Sequence, residues 1–203
     1  YCGANCTVSL MLMALQGLYQ AGLVEWLSSM TYQAASGAGA EQMRELIQQM
    51  QFLSDSVRAE LGNPAVSALE IDAKVTAGMR GDALPKQAFG VPLAASLIPW
   101  IDAGVEGGQT REEWKGMAET NKILGSANDI PVDGICVRVG SMRCHAQGFT
   151  IKLKRDVPLD EVSALIGAAN DWVKVIPNTD TATKTQLTPA AISGTLQVPI
   201  GRI

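Results

Sequence analysis

The stretch that most constrains this chain is its first: an apolar run from Val8 to Leu18, headed by Asn5-Cys6-Thr7, with no charged residue before Glu25. A segment with no polar face of its own must be covered on several sides, so the rest of the chain has to pack around it. It reads as a helix from Thr7 to Tyr19, ending near Gly17 or Gly22. Cys6 stands just ahead of that helix, where unpaired N–H groups and the positive dipole end stabilise thiolate over thiol. Such a cysteine can act as a nucleophile, and the same N–H groups can hold an oxyanion on an attached carbonyl. A structural cysteine is the other reading, because free cysteine is among the most buried residue types.

The 203 residues are 47% hydrophobic and 18% charged, enough for one or two domains with a real core. A net charge of −4 argues against a nucleic-acid footprint or a polybasic membrane surface. Gln16, Gln20 and Glu25 break the longest apolar stretches well short of a membrane span. No basic region marks a secretory signal. Tyr1 at the start and Gly201-Arg202-Ile203 at the end read as the edges of a piece excised from a longer polypeptide. Four cysteines (Cys2, Cys6, Cys136, Cys144) in a chain this long do not suggest a disulfide framework. With no C-x-x-C spacing and one histidine, no metal site is expected either. A reducing, cytoplasmic setting is the expectation.

Leu23 to Ala35 reads as a strand, followed by the small-residue turn Ser36-Gly37-Ala38-Gly39-Ala40. Met43, Leu46, Ile47, Met50, Leu53 and Val57 then recur at helical spacing, up to Gly62-Asn63-Pro64. A glycine-rich turn at a helix start can approach an anion or cofactor closely, although this one is not G-x-G-x-x-G and can equally be a plain turn. Ala65 to Met79 reads as a third helix. Gly81 to Gly108 carries too much glycine and proline for an assignment; buried irregular structure or a partner surface, notably Val91 to Ile101, would suit it. Thr110 with Glu113 forms a capping box opening a helix from Arg111 to Leu124. On it Glu112 and Lys115 share a face, which by default is a solvated ion pair. Ile130–Val139 and Met142–Lys154 read as an antiparallel hairpin turning at Gly140-Ser141. Its alternation puts Arg143, His145, Gln147 and Phe149 on one side and Cys144 on the other, so a thiol partner for His145 has to come from elsewhere. Arg138 interrupts an apolar series. Pro158 to Ala169 starts like a helix, Val173–Ile176 and Thr195–Ile200 are short strands, and Leu187–Gly194 is a helical turn. The sum is an α+β fold: a largely antiparallel mixed sheet with helices on one face.

Several of these segments, in this order, resemble the catalytic and dimerisation domain of bacterial aspartate-β-semialdehyde dehydrogenases, whose fold is that of the C-terminal domain of glyceraldehyde-3-phosphate-dehydrogenase-like enzymes. They are Asn5–Met13, Thr31–Gly37, Arg111–Gly116, Glu119–Leu124, Val137–Gly140, Arg143–His145 and Leu187–Ala191. The resemblance implies Cys6 as the acylated nucleophile, beside Asn5, and His145 as general acid/base. It implies Gln33 as the residue positioning the acyl group, Arg138 on the substrate carboxylate, Glu112 on its amino group and Lys115 on phosphate. Ser36, Gly37, Ala38, Gly39 and Ala40 would line the nicotinamide side of an NADP site, with Pro64 nearby. The implied reaction reduces L-aspartyl 4-phosphate to aspartate semialdehyde and phosphate in a homodimer, toward lysine, methionine, threonine and diaminopimelate.

One low-pKa thiol, one proton shuttle and separate cations for phosphate and carboxylate would suit that chemistry without a metal. Tyr1-Cys2-Gly3-Ala4 departs from the family's lead-in, and Cys2 could compete for oxidation near the active thiol. The family's N-terminal Rossmann domain and C-terminal helix do not fall within these residues, so the 203 residues alone are expected to bind NADP poorly and turn over negligibly. Two other readings stay open: a Cys-His thiol acyltransferase or hydrolase without cofactor, and a non-catalytic subunit-interface module.

Overall fold

The computed structural model describes residues 3–203, so the expectation for Cys2 lies outside the described residues. The apolar run folds as two helices, α1 (Cys6–Ala14) and α2 (Gln16–Gln20), broken at Leu15. The break lets the chain turn while Met11, Ala14, Leu15 and Leu18 all stay buried. Gly17 sits where an added Cβ would lie 2.0 Å from the carbonyl oxygen of Leu165, so α2 crosses its neighbour in backbone contact. Strand β1 (Val24–Gln33) follows, then a short 3-10 turn at Ala35–Gly37 and the helices α3 (Ala40–Ser56), α4 (Arg58–Leu61) and α5 (Ala68–Arg80).

The glycine- and proline-rich stretch beyond α5 is irregular apart from β2 (Leu97–Ile98). It is fastened to α3 by two buried polar side chains. Gln49 accepts from the N–H groups of Leu93 (2.8 Å) and Ala94 (3.0 Å) and donates to the Pro85 carbonyl (2.8 Å). Glu45 accepts from the N–H groups of Ala88 and Phe89. These bonds satisfy backbone that no ladder serves, and they let Leu84 and Leu93 pack with Leu46 and Leu53 in a second apolar cluster.

Helix α6 (Arg111–Leu124) begins with the predicted capping box, Thr110 and Glu113 bonding reciprocally. Strands β3 (Val132–Val139) and β4 (Ala146–Leu153) come next, then α7 (Leu159–Ala168), β5 (Val173–Val175), α8 (Asp180–Gln186), α9 (Pro189–Ile192) and β6 (Val198–Ile200).

The expected hairpin does not form. The four-stranded sheet runs β2-β3-β1-β4: β1 inserts between β3 and β4, parallel to the first and antiparallel to the second. The physical reason is the connection. Residues 140–145 are not strand, and six residues easily span the roughly 10 Å to the next strand but one. Gly134 allows the tight β1–β3 approach, since a Cβ there would meet the Ser29 carbonyl oxygen at 1.9 Å.

The register sorts the side chains. Leu27, Thr31 and Gln33 of β1 align with Val132, Cys136 and Arg138 of β3, all buried. This inner face carries α1 and α6, as the α+β reading with helices on one face expects. The outer face leaves Trp26, Met30, Tyr32 and Ile135 exposed.

Candidate active site

Asn5 builds the mouth of the site. Its side-chain oxygen caps α1 by accepting from the N–H groups of Thr7 (2.9 Å) and Val8 (3.3 Å). Its amide nitrogen donates to Glu112 Oε2 (2.9 Å), and its backbone N–H donates to Glu119 (2.7 Å). One residue thus fixes the start of α1 against α6, and Cys6, the first residue of α1, is presented exposed at that junction.

The Cys6 thiol is not acidified. Partial burial raises its pKa above the ordinary value, the Glu112 carboxylate adds to this, and the N–H groups of α1 with Arg138 only partly offset them. The helix-terminus effect expected from the sequence is present but smaller than the opposing field.

Glu112 is not the solvated half of an exposed ion pair; it is 7% exposed. Burial opposes its charge, yet hydrogen bonds from Asn5, Gln33 and Lys115 hold the carboxyl below its usual range. Gln33 Nε2 donates to Glu112 Oε1 at 2.8 Å, and Gln33 Oε1, also buried, has no partner among the described residues. Lys115 Nζ lies 3.4 Å from Glu112 and 3.2 Å from Asp102. Asp102 was not singled out from the sequence. It sits in the irregular stretch with φ 72°, an outlying conformation that no local motif foretells.

Arg138 is 7% exposed. Its Nη1 donates to the Ala34 carbonyl at 2.8 Å, and among the described residues no carboxylate lies within ion-pair distance of it. Burial lowers its pKa despite Glu112, so the guanidinium is an incompletely compensated buried cation. His145 lies beside it. It is not on β4 but in the loop before it, and its Nδ1 accepts the Ala34 N–H at 3.0 Å. Burial, then Arg138, depress its pKa against the pull of Glu112. Cys6 and His145 therefore share the fields of Glu112 and Arg138. On balance with burial, the site favours thiol over thiolate at Cys6 and neutral imidazole over imidazolium at His145.

Gly37 closes the other side. A Cβ there would come within 2.9 Å of the His145 ring and 3.0 Å of Arg138 Nη1. The turn around it is small and open, with Gly39 at φ 127° and no side chain capping α3. Small residues throughout Ser36, Gly37, Ala38, Gly39 and Ala40 leave the backbone there open to close approach, which is the condition that the expected nicotinamide site sets. Pro64 stands apart from them. It follows α4, beyond the far end of the 17-residue α3, about 25 Å of helix away.

Gln147 also escaped sequence reasoning. It lies opposite Thr31 and donates to the Thr7 carbonyl (2.9 Å), tying β4 to the first turn of α1, and its buried Oε1 has no partner among the described residues. Its alternation with His145 was visible; its reach to α1 was not.

The family model for the semialdehyde dehydrogenase dimerisation domain matches residues 15–203. The chain belongs to the semialdehyde dehydrogenase family. Among solved structures it is similar to the aspartate semialdehyde dehydrogenase of Francisella tularensis, at 46% identity and a TM-score of 0.93 over 99% of this chain and 54% of that one. Aspartate semialdehyde dehydrogenase II of Vibrio cholerae, in complex with ASA, matches at 26% identity and a TM-score of 0.66, over 88% of this chain and 46% of that one. This semialdehyde dehydrogenase chain thus spans about half the length of the enzymes it matches.

Proposed function

We propose that these residues form the catalytic half of a phosphorylating aspartate-semialdehyde dehydrogenase, acting as part of a longer enzyme with a dinucleotide-binding domain. The observation that carries the reading is the buried Arg138 guanidinium, with no carboxylate in ion-pair distance among the described residues and sharing a field with Cys6. A planar carboxylate is the ligand that such a fork lacks. Glu112, held ionised, suits the substrate's ammonium, and Lys115 suits phosphate as a point charge. In this reading Cys6 attacks the acyl carbon of L-aspartyl 4-phosphate and Gln33 orients the acyl group. When bound, NADPH supplies the hydride that takes the acyl group to the aldehyde. Ser36 to Ala40 would hold its nicotinamide side.

A cofactor-free thiol hydrolase is less well supported. His145 Nδ1 accepts from a backbone N–H, so it does not donate to the orienting acid such a triad uses. The test is acyl transfer itself. The complete enzyme, mixed with aspartyl phosphate without dinucleotide and quenched in acid, should carry one aspartyl mass on the Cys6 peptide. Turnover with Cys6 unmodified would remove the thioester from the mechanism.

The match to a dimerisation-domain family supports looking for a subunit interface on this domain. Met30, Tyr32 and Ile135 form an exposed apolar stripe on its outer sheet face, which we assign to a second copy of the chain. Met30→Asp with Ile135→Asp should turn the enzyme from dimer to monomer at micromolar concentration by sedimentation velocity. An undisturbed dimer would move the interface elsewhere.

A further inference from the structure

We propose that Glu119 is a positioning residue for acylation: its carboxylate holds the backbone N–H of Asn5 and so sets the angle at which the first turn of α1 presents Cys6. The proposal rests on the thioester reading above.

The arrangement starts on α6. Glu112 and Glu119 are two helical turns apart, so they lie on one face about 10 Å from each other along the axis. Both nevertheless close on a single residue. Glu119 Oε2 accepts the Asn5 N–H at 2.7 Å, and Glu112 Oε2 accepts from the Asn5 side-chain nitrogen at 2.9 Å. The remaining polar atom of that side chain, Oδ1, is turned into α1, where it accepts from Thr7 N–H, Thr7 Oγ1 and Val8 N–H. Asn5 is thereby held from two helices at once.

The two carboxylates hold different parts of it. A residue gripped only by its side chain can still turn about its own backbone, and Glu112 grips only the side chain. The Glu119 bond is to the main chain. With N–H fixed against α6 and Oδ1 fixed in α1, Asn5 keeps φ at −48° and ψ at 142°. A change in ψ would rotate the peptide joining Asn5 to Cys6, and with it the Cys6 N–H. That N–H and the one on Thr7 both bond to the Cys6 sulfur, so the sulfur would swing with them. A carboxylate on a part-buried backbone N–H is a charge-assisted bond, strong enough to resist that motion.

Substrate binding does not pass through this bond. Arg138 and Lys115, the cations read for the two ends of aspartyl phosphate, rest on other partners: the Ala34 carbonyl for the first, Asp102 and Glu112 for the second. Loss of the Glu119 carboxylate leaves those groups in place and leaves Asn5 on Glu112. It frees only the backbone from which Cys6 starts. The cost falls on the rate of attack, since a reacting atom misplaced by about 1 Å loses up to about a hundredfold.

The test isolates acylation: complete enzyme, aspartyl phosphate, no dinucleotide, rapid acid quench and the mass of the Cys6 peptide against time. Glu119→Met fills the same space without an acceptor, Glu119→Ala removes the acceptor with no new group, and Glu119→Gln restores one. In the first two the maximal acylation rate should fall about tenfold to a hundredfold, with the half-saturating substrate concentration within about twofold of wild type. Glutamine should return the rate to within about threefold of wild type. Alkylation of Cys6 by iodoacetamide, which needs no held angle, should stay within about threefold in all three, so that slow acylation is not a less ionised thiol. A wild-type acylation rate in Glu119→Met or Glu119→Ala would overturn the proposal, with or without a lowered thermal midpoint. So would a loss confined to half-saturation, alkylation slowed as much as acylation, or glutamine no better than methionine. Failure of the thioester reading looks different: wild-type enzyme would then carry no aspartyl mass on Cys6 at any time.

Discussion

Replacing Cys6 by serine in the complete enzyme lowers turnover at least a thousandfold, by the scale on which nucleophile removal acts elsewhere (about 10⁴ to 10⁶). A hydroxyl ionises far less readily than a thiol, so serine at this position supplies far less of the reactive anion. The loss cannot be blamed on folding. Cys6 is exposed and the α1 cap is made by Asn5, so circular dichroism and the thermal unfolding midpoint should be unchanged. The wild-type thiol carries a pH signature as well. Its pKa lies above the ordinary value, so below it each pH unit should raise the single-turnover acylation rate about tenfold, because the thiolate fraction is the reactant. A serine variant at wild-type rates, or acylation independent of pH between about 6 and 8, would remove Cys6 as the nucleophile.

The sequence revealed the parts of the site that local rules govern. Thr110–Glu113 announces α6 because a capping box is a contact between near neighbours. Helical spacing then puts Glu112 and Lys115 on one face, and the uncharged run at Asn5–Leu18 identifies the buried helices. What local rules cannot see is where a face points. Glu112 looked like a solvated partner for Lys115 and proves to be buried, because Asn5 and Gln33 reach it from 107 and 79 residues away. The supposed hairpin failed for the same reason: strand type is local, but the choice of β1 as the partner of both β3 and β4 is not. The stretch beyond α5 had no periodicity to read because its order comes from Glu45 and Gln49 on another element. Electrostatics was the least legible layer. The thiol at a helix start suggested acidity, yet burial, joined by the carboxylate that α6 brings in, reverses the balance.

Arg138→Leu should raise KM for aspartyl phosphate by about a hundredfold or more, with a much smaller change in kcat. Losing a buried charge-assisted pair with ligand costs about 2 to 5 kcal/mol, which corresponds to that range. What distinguishes this residue is the effect expected on stability. A structural arginine in a core is paired, and its removal strands a buried carboxylate. Among the described residues Arg138 makes one hydrogen bond, to the Ala34 carbonyl, and burial already works against its charge. Leucine removes a poorly compensated cation and loses about one hydrogen bond, a change of about 1 kcal/mol offset by the relieved desolvation. Thermal unfolding should therefore hold steady or shift slightly upward while binding collapses. Arg138→Lys should restore the charge but not the fork, recovering only part of the affinity. A variant with a lowered Tm and an unchanged KM would make Arg138 a structural residue and leave the substrate carboxylate without its partner. The opposite pattern, weak binding in a protein as stable as the wild type, is the signature of a cation placed for something the domain itself does not contain.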